Sequence, residues 1–276
     1  MKKMKNLISL IIILIFSQSI DAQETAKNSL ALGYGTSYLM RQDLIFSEFI
    51  HKDLSPVFAS LTYEKEKNFI HKVELDFGMY KYQMIDTYEF FWEAGVSDHS
   101  YPHTYTFVDL NYYIGKNHRF SDKLSLNYGL ASVNKIQPGS YIWGFSDIFG
   151  YFANFGLDAW AETEYSLNEK SRVKGKISFP LVSWSTRSPY LVNDAEHLEN
   201  TISNKFIPTF FAYVADGKIR SWNKLQSIDL EFSYDYDLSS KFSLGAEYGF
   251  EFIAYSDPTK LTSFRNTLQL IFKYKF

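Results

Sequence analysis

Apolar and polar residues alternate with a period of two along most of the chain. In the last segment Phe264, Leu268, Leu270, Phe272, Tyr274 and Phe276 fall on one face. Ser263, Arg265, Thr267, Gln269, Lys273 and Lys275 fall on the other. The segment before it sets Phe242, Leu244, Ala246, Tyr248, Phe250 and Phe252 against Ser243, Gly245, Glu247, Gly249 and Glu251. The next one upstream sets Ile228, Leu230, Phe232, Tyr234 and Tyr236 against Ser227, Asp229, Glu231, Ser233, Asp235 and Asp237. Successive side chains of a strand point to opposite faces, so each segment is predicted to be a strand with one apolar and one polar side. Ten strands are predicted, near 29–40, 55–66, 69–84, 104–116, 122–133, 149–166, 171–184, 222–238, 241–256 and 260–276.

Alternation alone also suits a soluble sandwich. Two features select a membrane barrel. The strands are long, and their apolar faces end in Tyr and Phe near the turns, as in an aromatic girdle. The connections also alternate in length. Short polar turns are predicted near Glu64–Asn68, Gly115–Asp122, Leu167–Ser171 and Leu238–Lys241. Longer segments fall at Arg41–Ser55, Asp86–Tyr101, Asn134–Ile148 and Trp184–Trp222. The expected fold is all-β: a transmembrane, antiparallel, up-and-down β-barrel of about ten strands, with both termini and the short turns at one end. A twelve-strand alternative adds 43–52 and 205–215. It reverses the loop asymmetry and places Pro208 inside a strand, where proline is disfavoured.

Residues 1–22 read differently. Lys2, Lys3 and Lys5 precede the apolar run Leu7–Phe16, and Ser17–Ala22 is small and polar. This is the pattern of a secretory signal peptide, shorter than the about 20 residues of a membrane helix. The barrel is then expected over 23–276. A short helix is possible around Asp194–Ser203.

Composition agrees. Aromatic residues make up 18% of the 276 residues, and there is no cysteine. That excludes a disulfide scaffold, a lipid-anchored lipoprotein, a thiolate zinc site and a cysteine nucleophile. A net charge of −3 argues against a nucleic-acid partner.

The ending Leu268-x-Leu270-x-Phe272-x-Tyr274-x-Phe276 resembles the C-terminal signal of Gram-negative outer-membrane β-barrel proteins. The Ala22–Gln23 junction and the aromatic-rich strands are similar to those of members from Bacteroidetes-type bacteria. The resemblance implies a multi-pass protein of the cell outer membrane. Its partners would be the outer-membrane lipid and, through the strand ending at Phe276, the barrel-assembly machinery.

Strand parity places charged residues inside. Lys72, Glu74, Asp76, Asp109, Asn111 and Asn154 are predicted to point inward. So are the candidate pore-lining residues Asp158, Glu162, Arg172, Lys174, Lys176, Asp229, Glu231, Glu247, Glu251 and Arg265. Acids outnumber bases, and the basic strand 171–184 lies between two acidic ones, so pairing across the ladder is expected. Two readings follow. One is a lumen packed by its own salt bridges, making the protein a structural barrel with outward loops. The other is a narrow porin-like, cation-preferring passage for small solutes. Segment 185–221, with Phe206, Phe210 and Phe211, either folds inward over the mouth or forms an outer surface for a ligand or partner.

Catalytic and metal signatures are weak. The outer-membrane phospholipase pattern His-Gln-Ser-Asn-Gly and the deacylase pattern His-x-Ser are absent. The second loop holds Asp86, Glu89, Glu93, Asp98, His99 and His103, and the fourth holds Asp194, Glu196 and His197. This distribution is similar to the omptin proteases, which take catalytic acids from loop two and an Asp–His pair from loop four, and the resemblance implies a rim-sited hydrolase as the alternative function. Omptin pairs are tightly spaced, whereas Asp194 and His197 stand three apart. Asp98, His99 and His103 carry donors that suit zinc or nickel, but Pro102 interrupts any regular spacing. No catalytic residue, metal site or cofactor is assigned. Gly33-x-Gly35 lies inside a predicted strand, where glycine serves close packing or a bend.

Overall fold

The structure, a computed structural model, describes residues 27–82, 89–93, 95–99, 103–143, 146–188 and 206–276. In chain order its elements are β1 (Lys27–Asp43), β2 (His51–Glu66), β3 (Ile70–Tyr82), β4 (Glu89–Glu93), β5 (Val96–His99), β6 (His103–Arg119), β7 (Leu124–Trp143), β8 (Ser146–Ser166) and β9 (Ser171–Arg187). Helix α1 (Phe206–Ala215) follows, then β10 (Lys218–Arg220), β11 (Leu225–Asp237), β12 (Phe242–Tyr255) and β13 (Leu261–Lys275).

Ten of these strands close a barrel. Each pairs antiparallel with its sequence neighbour, β1 pairs with β13, and β8–β9 completes the ring. All ten predicted segments are these strands. The hairpin β4–β5 stands apart, and β10 adds to the edge of β9 at Ser183–Ser185. Segment 43–52, a strand in the twelve-strand alternative, is a turn followed by the start of β2. Segment 205–215 gives helix α1 instead of a strand. The proposed leader 1–22 and the helix near Asp194–Ser203 lie outside the described residues.

Two apolar populations separate cleanly. Outward positions are exposed leucine, valine and aromatic side chains, and Leu270 reaches 73% exposure. On β2, Lys52 and Lys65 bracket the outward run from Leu54 to Tyr63. That run matches the ~10 residues a tilted strand needs to cross a bilayer. Prolines sit where the ladder gives way. Pro56 lies at the break between the Gly35–Phe58 and Ser37–Ser55 pairs, and Pro180 beside the break at Leu157/Asp158. A bulge leaves a residue unpaired, so the missing N–H costs nothing there.

The short-turn end uses one device three times. Ser121, Asn168 and Ser239 each accept two backbone N–H groups from the far side of their own turn with a side-chain oxygen. The opposite end differs from the sequence reading. Segment 134–148 is a continued hairpin, with β7 running to Trp143 and β8 starting at Ser146.

One inward contact demands glycine. Gly115 and Gly129 face each other across β6–β7, and Trp160 lies against them. Its indole N–H donates to the carbonyls of Ile114 (3.3 Å) and Leu130 (3.1 Å). A Cβ on Gly115 would meet Trp160 Cζ2 and the Tyr128 carbonyl at 2.6 Å. Gly115→Val is therefore expected to destabilise the barrel by about 1–3 kcal/mol, the usual penalty for overpacking. Urea unfolding of the vesicle-inserted protein, followed by tryptophan fluorescence, checks this.

Candidate functional site

The polar faces of the ten strands make a layered lumen. At the end carrying the short turns it is open. A cavity of about 520 Å³ there is lined by Glu64, Glu66, Glu164, Lys174, Asp235 and Lys273, among others. Asp237 accepts from Arg172 (2.8 Å) and Lys275 (2.6 Å) at its rim. One layer further in, Lys174 meets Glu164 (3.2 Å) and Lys273 meets Asp235 (3.3 Å).

The next layers cross the barrel. Lys176 on β9 reaches Glu74 on β3 (3.0 Å) and Glu231 on β11 (2.7 Å), and its ammonium lies over the Tyr113 ring. Lys72 pairs with Glu74 and stands 3.9 Å from Glu162. Above them Lys135 on β7 contacts Asp229 (2.9 Å) and Glu251 (2.5 Å). Arg265 on β13 holds Glu251 (3.0 Å) and Asp109 on β6. Between these pairs remain cavities of about 50 and 60 Å³. A single water needs ≳10–15 Å³, so each has room for a few waters.

At the long-loop end the described residues bury apolar and aromatic side chains inside the ring. Leu39, Phe46, Tyr80, Tyr82, Tyr105 and Phe107 form one buried cluster, with Phe107 at 0% exposure. Phe152, Leu225, Ile253, Tyr255 and Leu261 form another. Arg41 threads the first cluster. It donates to Gln137 Oε1 (2.7 Å), pairs with Asp43 (3.5 Å) and lies 5.0 Å from the Tyr105 ring centre. Arg187 also grips Asp43 and donates to the Thr259 carbonyl (2.5 Å), tying β9, β1 and the β12–β13 loop together. His51 lies beyond Lys52, above the apolar belt, with its ring against those of Tyr82 and His103. Burial and the neighbouring His103 push its imidazole down to about 4, so at neutral pH it packs as an uncharged ring.

All ten sequence-derived lining residues are on the inner wall. The pairs Lys174–Glu164, Lys176–Glu231 and Arg172–Asp237 join neighbouring strands, as parity suggests. Glu162 accepts from Asn127 (3.1 Å), and Glu247 from Gln269 (2.7 Å). Asp158 lies opposite Ala131 and Pro180 and takes no salt bridge among the described residues. Sequence reasoning missed Lys135, because strand β7 was expected to end at 133. The inward parity of Ala131 and Val133, continued two and four residues on, reaches Lys135 and Gln137. Arg41 was missed for the same reason at the end of β1. Of the loop acids and histidines, His103 is within the described residues and packs in the closure. Asp86, Asp194, Glu196 and His197 lie outside them, as do the side chains of Glu89, Glu93, Asp98 and His99.

Compared by sequence, the chain matches no family model and no curated protein. Solved structures do resemble it. The crystal structure of the outer membrane protease OmpT from Escherichia coli superposes with a TM-score of 0.52 at 9% identity, covering 94% of this chain and 99% of that one. The translocator domain of the autotransporter NalP from Neisseria meningitidis gives 0.42 at 10% identity, over 99% and 96%. Neisserial surface protein A gives 0.37 at 9% identity, over 92% and 100%. The fold is that of the Gram-negative outer-membrane β-barrels, in its closed ten-stranded form.

Proposed function

We propose that the chain is an integral outer-membrane protein whose barrel is a non-conducting scaffold: a polar vestibule open toward the termini and sealed toward the long loops. The observation that carries this reading is the stacking of two features in one lumen. Cross-barrel ion pairs leave room only for a few waters, and aromatic clusters close the end above them. Of the two readings of the lumen drawn from the sequence, this favours the structural barrel with outward loops over the porin-like passage. The residues Asp158, Glu162, Asp229, Glu231, Glu247 and Glu251 then serve as partners and walls of the vestibule. Their surplus negative charge would select cations only if the seal were removed.

Planar-bilayer recording of the refolded chain lacking residues 1–22 tests the proposal. Folded, inserted protein should show no ion steps. Stable steps from the unmodified chain would overturn the scaffold reading. Arg265→Ala combined with Phe107→Ala should open small cation-selective steps, since Asp109 and Glu251 lose a cation while the seal loses a ring. Arg265→Ala alone should cost about 3–5 kcal/mol in urea unfolding, because it leaves buried carboxylates short of a partner. Lys275→Ala, in a half-exposed pair at the mouth, should cost no more than about 1 kcal/mol in the same assay.

A further inference from the structure

Helix α1 lies on the outside of the barrel. Helix α1 carries no charged residue (FIPTFFAYVA) and packs on the outer face of β8 and β9. Tyr213 stacks on Tyr151 with ring centres 4.0 Å apart and planes at 10°. Thr186 Oγ1 donates to the Tyr213 carbonyl (2.7 Å), and the Trp184 indole N–H donates to the Val214 carbonyl (2.8 Å). Gly217 presses on Trp184 so closely that a side chain there has no room.

Trp184 belongs to the outward column of β9 that includes Val173, Ile177, Phe179, Leu181 and Val182. The helix therefore caps the upper end of the apolar belt. Its free side continues that belt: Phe211 is 64% exposed, Ile219 on β10 is 69% exposed, and Trp222 follows. Exposed Lys224 follows them. Tryptophan and lysine beside an uncharged apolar stretch are the residues of a bilayer interface. The backbone gives the same answer. The β9–β11 ladder stops at Ser178–Asp229, and β10 takes up the β9 edge at Ser183–Ser185. An open sheet edge is not tolerated facing hydrocarbon, so a wall at membrane height needs such a patch.

We infer that α1 and β10 are seated in the bilayer leaflet at the long-loop end, a lipid-contacting extension of the wall, with Phe211, Ile219 and Trp222 among acyl chains and Lys224 at the headgroups. This rests on the membrane reading above, and the test separates the two. The chain has no cysteine, so single substitutions Phe211→Cys, Ile219→Cys, Leu270→Cys and Asn168→Cys each accept one nitroxide. The labelled chain is refolded into dioleoylphosphatidylcholine vesicles. Heat-modified electrophoretic mobility confirms folding, and power saturation compares collisions with oxygen and with an aqueous nickel chelate. Labels at 211 and 219 should show an excess of oxygen over chelate, as at 270 and opposite to 168. Chelate accessibility at 211 and 219 matching that at 168, with 270 still in lipid, would overturn the seating and leave the barrel reading intact. Chelate accessibility at 270 would sink both. Dipolar broadening at 211 that disappears on dilution with unlabelled chain would assign the face to a second copy and overturn the lipid assignment.

Discussion

The diameter of a ten-stranded ring sets the terms for everything inside it. Eight strands enclose a space that ordinary side chains can fill, and ten enclose more. Leucine or valine on one wall cannot meet its opposite number. Lysine and arginine can, and this protein uses them as struts: Lys135 from β7 to β12, Arg265 from β13 to β6, Lys176 from β9 to β3. A strut of this kind brings a charge out of water, which is costly unless partners meet it. Each of the three accordingly holds two carboxylates. These contacts also hold the register. A slip of one residue in a strand that carries a strut would turn it toward lipid and strand its partners.

The two ends solve different problems. The short-turn end needs reliable reversals, and it reuses one solution. Phe120-Ser121-Asp122-Lys123, Leu167-Asn168-Glu169-Lys170 and Leu238-Ser239-Ser240-Lys241 each set a short polar side chain to take up the turn's own N–H groups. The other end must gather strands that finish at different heights. It does so with guanidinium groups, whose fan of donors lets Arg187 hold a carboxylate and backbone carbonyls at once.

The barrel was legible in the sequence because its signal is local. A two-sided strand shows its period within a few residues, as 263–276 does, and the punctuation by short polar turns is equally local. Strand ends were less legible. Pro138 and Gly139 look like a turn, yet they sit within β7, and the inward row beyond Val133 was lost with them. Partners across the lumen were not legible at all. Which acid faces Lys135 depends on the stagger accumulated around the whole ring, and no single segment encodes that. Helix α1 is a similar case. The sequence offered 205–215 as a strand of the twelve-strand alternative, and its phenylalanines as a cover for the mouth or part of an outer surface. Its place on the outer wall depends on Tyr151 and Trp184 arriving at the same height on β8 and β9.

The seal and the charge network are one cooperative structure. The Arg265 guanidinium pairs with Asp109 and Glu251 below and lies 5.4 Å from the Phe107 ring centre above. Arg41 lies 5.9 Å from the same ring while binding Gln137 and Asp43. Phe107 is thus held between two cations, each anchored to a different part of the wall. Moving the ring exposes both guanidinium groups to a less favourable neighbour, and moving either cation uncouples a carboxylate beneath or beside it. Groups linked in this way do not lose their contributions one at a time. Opening the mouth would strand buried charge, so these contacts favour the arrangement with the network intact.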